Sequence, residues 1–206
     1  NEKKDIFYFA DKYKAFLNEC KTEREIIKYF SDKIASKKAI DIDAVNSLEP
    51  GHLYYKIFRN KVMAIIKIPD KLNMKNQELF HLLCSHIDSP RLDLKPSPIK
   101  EDSSVLFMKT HYYGGIKKYQ WANIPLALHG VIYSGKNIIN LAIGEKENEP
   151  IFILPDLLPH LSREQMKKEA SKIIEGEEMG VIIGHLPSKE DTKNKIKLAV
   201  IEKLYK

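Results

Sequence analysis

The chain has 206 residues, 43% of them hydrophobic, with one Trp, ten Tyr and eight Phe. That is enough for one well-buried domain or two smaller units, and it is the composition of a folded globule, not of a disordered chain. The net charge of +6 is carried mostly by Lys interleaved with Glu and Asp, with Arg only at 24, 59, 91 and 163, which reads as a solvated surface and not a nucleic-acid face.

The start, Asn1-Glu2-Lys3-Lys4-Asp5, leads into an amphipathic segment and not a secretory apolar region. No apolar run approaches the roughly 18 residues that span a bilayer. A cytoplasmic protein without a membrane partner is expected. Ile6, Phe9, Tyr13, Phe16 and Leu17, then Ile26, Ile27, Phe30 and Ile34, recur at helical spacing. Thr22 and Glu25 have capping-box spacing, so a second helix is predicted to start there. The two cysteines, Cys20 and Cys84, are too few for a disulfide framework. No Cys-x-x-Cys pair is present to suggest a thiolate zinc site.

Residues 36–50 read as loop, ending in Pro50-Gly51. His52–Phe58 and Val62–Ile68 are predicted strands, joined through Arg59-Asn60-Lys61 as a hairpin. A loop from Pro69 to Gln77 precedes an apolar run, Leu79-Phe80-His81-Leu82-Leu83-Cys84, that reads as a buried strand with Cys84 as a small core residue. His86 and Asp88 follow. Side chains at i and i+2 on a strand share a face. Asp88 is therefore placed to hold the His86 ring and fix which nitrogen faces a metal. The spacing alone is common, and the buried run before it with Pro90 after it gives it weight.

Beyond Pro90, Arg91–Lys95 alternates cleanly and Pro96-Ser97-Pro98 interrupts it, so a division is expected near residues 96–100. Val105–His111, Ile124–Tyr133, Ile138–Ile143 and Ile151–Leu154 are predicted strands, with turns at Gly114-Gly115, Ser134-Gly135 and Gly144–Glu149. Ser162 with Gln165 announces a helix from Ser162 to Glu175. Val181–His185 is a last predicted strand, and a Lys-rich helix is predicted from about Ser188. His52, His81, His111, His129 and His185 read as hydrogen-bonded structural residues. Tyr112, Tyr113, Tyr119 and Trp121 read as core or subunit contact. His160, taken alone, reads as a loop histidine, and Glu177-Glu178 as a solvated pair.

Four blocks of text are more specific than these patterns. They are Ser-His-Ile-Asp-Ser-Pro-Arg-Leu-Asp-Leu-Lys-Pro (85–96), Lys-Thr-His-Tyr-Tyr-Gly-Gly-Ile-Lys-Lys-Tyr-Gln-Trp (109–121), Ile-Pro-Leu-Ala-Leu-His-Gly (124–130) and Leu-Pro-Asp-Leu-Leu-Pro-His-Leu (154–161). Together they resemble the aspartyl aminopeptidase / aminopeptidase I family of dinuclear zinc exopeptidases, along essentially the whole chain. The resemblance implies an α/β fold: a partial metallopeptidase core, a mixed sheet with helices, over residues 1–95, and an inserted β-rich dimerisation domain over 96–206. It implies His86 as a zinc ligand, Asp88 as the carboxylate that orients it, and His160 as a group that reaches the partner subunit's active site and stabilises an oxyanion. It further implies two zinc ions per active site, peptide substrates cut at the N-terminus by metal-activated water, and homo-oligomers in which dimers build a tetrahedral dodecamer. The family's other ligands and general base belong to a core expected to resume beyond Lys206. Glu177-Glu178 does not match them. The alternative is a non-catalytic module that only pairs subunits.

Overall fold

A computed structural model describes residues 2–71, 81–189, 196–197 and 199–200. The chain divides into two compact units, Asn1–Ser89 and Pro90–Lys206.

In the first unit, α1 (Glu2–Glu19) and α2 (Glu23–Ala35) are the two expected helices. The capping box forms: the Glu25 amide donates to the Thr22 hydroxyl, and the Thr22 amide donates to the Glu25 carboxylate at 2.8 Å. Two orphan N–H groups of the first turn are thereby satisfied. Phe16 of α1 lies 5.0 Å from Tyr29 and 5.8 Å from Phe30 of α2, ring centre to ring centre. Ile26, Ile27 and Ile34 of α2 are buried, whereas no residue of α1 is. Strands β1 (Ile40–Asp41), β2 (Leu53–Phe58) and β3 (Val62–Lys67) form a sheet in that order. β1 runs parallel to β2 and β3 antiparallel to it, so the sheet is mixed. Arg59 and Asn60 take left-handed backbone conformations in the hairpin turn. Tyr54 is fully buried, and its hydroxyl accepts the Glu49 amide at 2.8 Å.

The buried strand expected over Leu79–Cys84 is corrected in part. Leu79 and Phe80 lie outside the described residues. His81–Cys84 take no regular structure, and Leu82, Leu83 and Cys84 are exposed. An apolar run becomes a strand only with a neighbour to complete its hydrogen-bond ladder and cover its faces. Among the described residues no strand pairs with this segment.

The second unit is β-rich. Strands β4 (Arg91–Asp102), β5 (Val105–Tyr113), β6 (Pro125–Leu126), β7 (Leu128–Ser134), β8 (Asn137–Ile143), β9 (Phe152–Ile153) and β10 (Gly180–Gly184) follow in order. An antiparallel sheet has the order β4-β5-β10-β9-β6, and β7-β8 is a separate two-stranded ribbon. Pro96 and Pro98 do not end β4, which runs through the division expected at 95/96. They lack N–H donors, and the register against β5 shifts between Leu94 and Ile99. An edge strand tolerates that break. The core gathers Leu154, Ile174 and Met179, with Leu92, Ile116 and Trp121 packed against them.

The helix expected over Ser162–Glu175 is absent. Two short 3-10 turns, Gln165–Lys167 and Ala170–Lys172, take its place, and a third, Gly176–Glu178, follows. The reason lies in Gln165. Its amide does not fold back to cap Ser162; it donates to Asp156 at 2.9 Å and to the Ile173 carbonyl at 3.4 Å. These non-local bonds tie the segment across itself and let Ile174 reach the core. The Lys-rich helix expected from Ser188 lies mostly outside the described residues; Ile196, Lys197, Ala199 and Val200 are helical. Among the described residues no helix is long and apolar enough to cross a membrane.

Candidate functional site

The segment after Cys84 brings His86 and Asp88 together. His86 Nδ1 lies 3.2 Å from Asp88 Oδ1 and 3.0 Å from the Asp88 carbonyl oxygen. Both are acceptors, so Nδ1 carries the proton and donates. The free lone pair is then on Nε2, the atom a metal would meet. The His86 side chain is 84% exposed and Asp88 37%. A carboxylate holding one imidazole nitrogen while the other points outward is the arrangement of a zinc-binding histidine and its orienting partner. One imidazole does not hold zinc. Among the described residues no group of three or more His, Cys, Asp or Glu could hold a metal ion.

The start of β4 is braced by contacts that the pattern of residues did not single out. Arg91 Nε donates to Asp93 at 2.8 Å, and the Arg91 guanidinium sits 4.2 Å from the centre of the Tyr113 ring. Arg91 and Tyr113 are register partners. The i, i+2 spacing of Arg91 and Asp93 was the available signal. Gly114 turns the chain at φ +80, and a Cβ there would lie 3.5 Å from the Pro90 backbone.

His160 belongs to the second unit, on an exposed turn between β9 and the first 3-10 turn. The turn is built from both sides. Asp156 accepts the Leu157 amide at 2.8 Å as well as the Gln165 amide. Ser162 is buried, and its hydroxyl donates to the Pro159 carbonyl at 3.1 Å while its amide donates to the Leu158 carbonyl at 3.0 Å. A buried hydroxyl needs such a partner. The result presents the His160 ring to solvent on a braced backbone.

Other titratable groups have structural work. Lys95 donates to Glu177 at 2.5 Å, and that hydrogen bond and charge hold the Glu177 carboxyl below its usual range. Glu178 accepts the Glu175 amide at 3.0 Å. The pair is therefore divided between an ion pair and a cap. His129 Nε2 lies 2.8 Å from Glu145 Oε1. Burial, with Glu19 and Glu25 nearby, pushes the Cys20 thiol up to about 11, which leaves it protonated and unreactive. Cys84 corrects the expectation of a core residue: it is exposed, because the strand that would bury it is not formed over His81–Cys84.

Comparison with known proteins gives one consistent answer. A family model described as aminopeptidase I zinc metalloprotease (M18) matches residues 16–206. The probable M18 family aminopeptidase 1 of Borreliella afzelii (strain PKo) is 45% identical over 204 residues, 98% of this chain and 44% of that protein. Its counterpart in Clostridium acetobutylicum is 42% identical over 200 residues, 94% of this chain and 42% of that protein. Among solved structures, an M18 family aminopeptidase from Thermotoga maritima superimposes with a TM-score of 0.86 at 35% identity, covering 98% of this chain and 44% of the other. Aminopeptidase I from Borrelia burgdorferi B31 gives 0.82 at 36% identity, covering 98% and 45%. This chain thus spans about half the length of the relatives it matches. It belongs to the aminopeptidase I zinc metalloprotease (M18) family.

Proposed function

We propose that this chain is part of a zinc aminopeptidase that releases N-terminal residues from peptides. The observation that carries the reading is the His86–Asp88 contact, in a chain whose relatives bear the aminopeptidase name. His86 Nε2 would be one protein ligand to zinc, with Asp88 fixing the ring. Zinc, when bound, supplies Lewis acidity toward a carbonyl and toward water. The reading takes two zinc ions per site, from the family resemblance. The ligands that complete the site are not among the described residues, so no catalytic step is derived through the metal.

Residues 1–95 are read as the opening part of the catalytic domain and 96–206 as an inserted pairing domain. What supports this is the change of texture at Pro90, from helices over a small mixed sheet to a β-rich unit. On this reading the enzyme is a cytoplasmic homo-oligomer, with dimers assembled into a tetrahedral dodecamer. His160, on its braced and exposed turn, is the group offered to a partner's active site, where an imidazole N–H would stabilise a developing oxyanion.

The test uses the full-length protein loaded with zinc and a panel of peptides with acidic and apolar N-terminal residues, free or acetylated. Release of the first residue from free peptides only, lost in His86→Ala, is the expected result. No release from any peptide leaves the pairing module as the standing function.

A further inference from the structure

The turn that carries His160 is held by hydrogen bonds and not by packing. Leu157, Leu158 and Leu161 are 53%, 59% and 63% exposed, so apolar burial does not fix the backbone beside His160. Polar groups hold it instead. The Leu158 carbonyl accepts the amide of Leu161 at 2.9 Å and that of Ser162 at 3.0 Å, which closes the chain around residue 160. Pro159 restricts its own φ and the conformation of Leu158 before it. None of these bonds uses the His160 ring, which stays exposed.

One side chain joins the two arms of this segment. The Gln165 amide nitrogen has two N–H donors and two acceptors. It donates to Asp156 at 2.9 Å, nine residues back, and to the Ile173 carbonyl at 3.4 Å, eight residues on. The bond to Asp156 has an ionised acceptor and is the stronger kind. Both acceptors lie close to the core. Asp156 is two residues after Leu154, and Ile173 directly precedes Ile174. Leu154 and Ile174 belong to the buried cluster with Met179, and Ile173 packs against it. The Leu154 carbonyl is held again by the Asn123 amide at 2.9 Å. Gln165 therefore ties the outgoing arm to the returning arm near the points where each leaves the core.

Such a tie matters for a group that must stabilise charge. A donor does so only from about 2.7–3.1 Å of the oxygen on which charge develops. A displacement of about 1 Å can cost 100-fold in rate. With the flanking leucines exposed, the position of residue 160 depends on the bonds that hold its backbone, and Gln165 is the side chain that spans both arms.

We propose that Gln165, through its bonds to Asp156 and Ile173, is a positioning residue for His160. It touches no substrate. It holds the turn where the imidazole can meet a developing oxyanion. This rests on the role proposed for His160 at a partner's active site and names the group that makes that role possible.

The test is a double-mutant cycle in the full-length, zinc-loaded enzyme with a peptide whose first residue it releases. Gln165→Met keeps the length of the side chain and removes both donors. Asp156→Ala removes the acceptor at the other end of the stronger bond. Each is expected to lower kcat about tenfold with KM little changed, and the two together no more than about the larger single loss. In the His160→Ala background, Gln165→Met is expected to change kcat by less than about twofold, because no ring is left to position. A merely structural defect would lower kcat alike in both backgrounds. Gln165→Met with wild-type kcat, or with the same loss whether or not His160 is present, overturns the positioning role and leaves His160 in its site. His160→Ala with wild-type turnover overturns the role of His160 and this one with it.

Discussion

The His86 ring donates its Nδ1 proton to two oxygens of one residue, the side-chain Oδ1 of Asp88 at 3.2 Å and its main-chain carbonyl at 3.0 Å. Three atoms, two residues apart, settle the tautomer of the ring. The Asp88 carboxylate also makes the imidazole a better donor to a cation at Nε2.

Asp88→Asn keeps the size of the side chain and weakens its hold on the ring. In the full-length protein, zinc affinity is expected to fall about 10- to 100-fold. The backbone contact from the residue 88 carbonyl remains, so secondary structure stays as it is. Competition with a zinc chelator, read alongside circular dichroism, measures both. Unchanged zinc affinity would remove Asp88 from the site.

His160 is exposed on its turn, so its loss removes little buried surface. His160→Ala is therefore expected to leave the melting temperature within the small range of surface substitutions, about 0.5 kcal/mol. Turnover by the full-length enzyme is expected to fall about 100-fold, with KM little changed, if the ring stabilises charge only in the transition state. A fall in KM and kcat together, or none, would count against that role.

The Lys95–Glu177 pair gives a pH-dependent signature. Glu177 is held below its usual range by the hydrogen bond and charge of Lys95. A carboxyl with a depressed folded-state pKa stabilises the fold above its unfolded-state pKa and loses that contribution as pH falls through the depressed value. The pair is solvent-exposed on the Glu177 side, so the effect on stability is small. In an NMR titration, the Glu177 midpoint is expected to move up in Lys95→Met, which removes the largest cause of its depression. Coincident midpoints in both proteins would mean that the ion pair does not persist in solution.

Met179 tests the core of the second unit. It is 1% exposed and packs with Leu154 and Ile174. Met179→Ala removes that packing and is expected to cost about 2–5 kcal/mol. Trp121 packs against the same cluster, so its fluorescence should report the loss directly. A loss below about 0.5 kcal/mol would place the core elsewhere.

Elements held by bonds between near neighbours were legible in the residues. Thr22 and Glu25 are three apart, and each satisfies the other's amide, so the start of α2 follows from local chemistry. The β2–β3 hairpin is likewise local, with Arg59-Asn60-Lys61 between two strand-forming runs. His86 and Asp88 found each other because two residues separate them. Ser162–Glu175 shows the opposite case. Its apolar spacing and cap fit a helix, yet Gln165 is drawn to Asp156 and Ile173, and the backbone bonds of that segment close only single turns. Residues 81–84 show it again, since apolar content makes a strand only when another strand supplies the ladder. The sequence by itself determined the family, the helix cap, the first hairpin and the candidate zinc ligand with its carboxylate. Tertiary structure alone decided that β4 runs through Pro96 and Pro98 with a shift of register, that His160 rides on a turn braced by Asp156 and Ser162, and that the β7–β8 ribbon keeps its tip exposed. Those outcomes depend on which of several competing contacts each group makes in the folded chain, and residue spacing alone does not rank them.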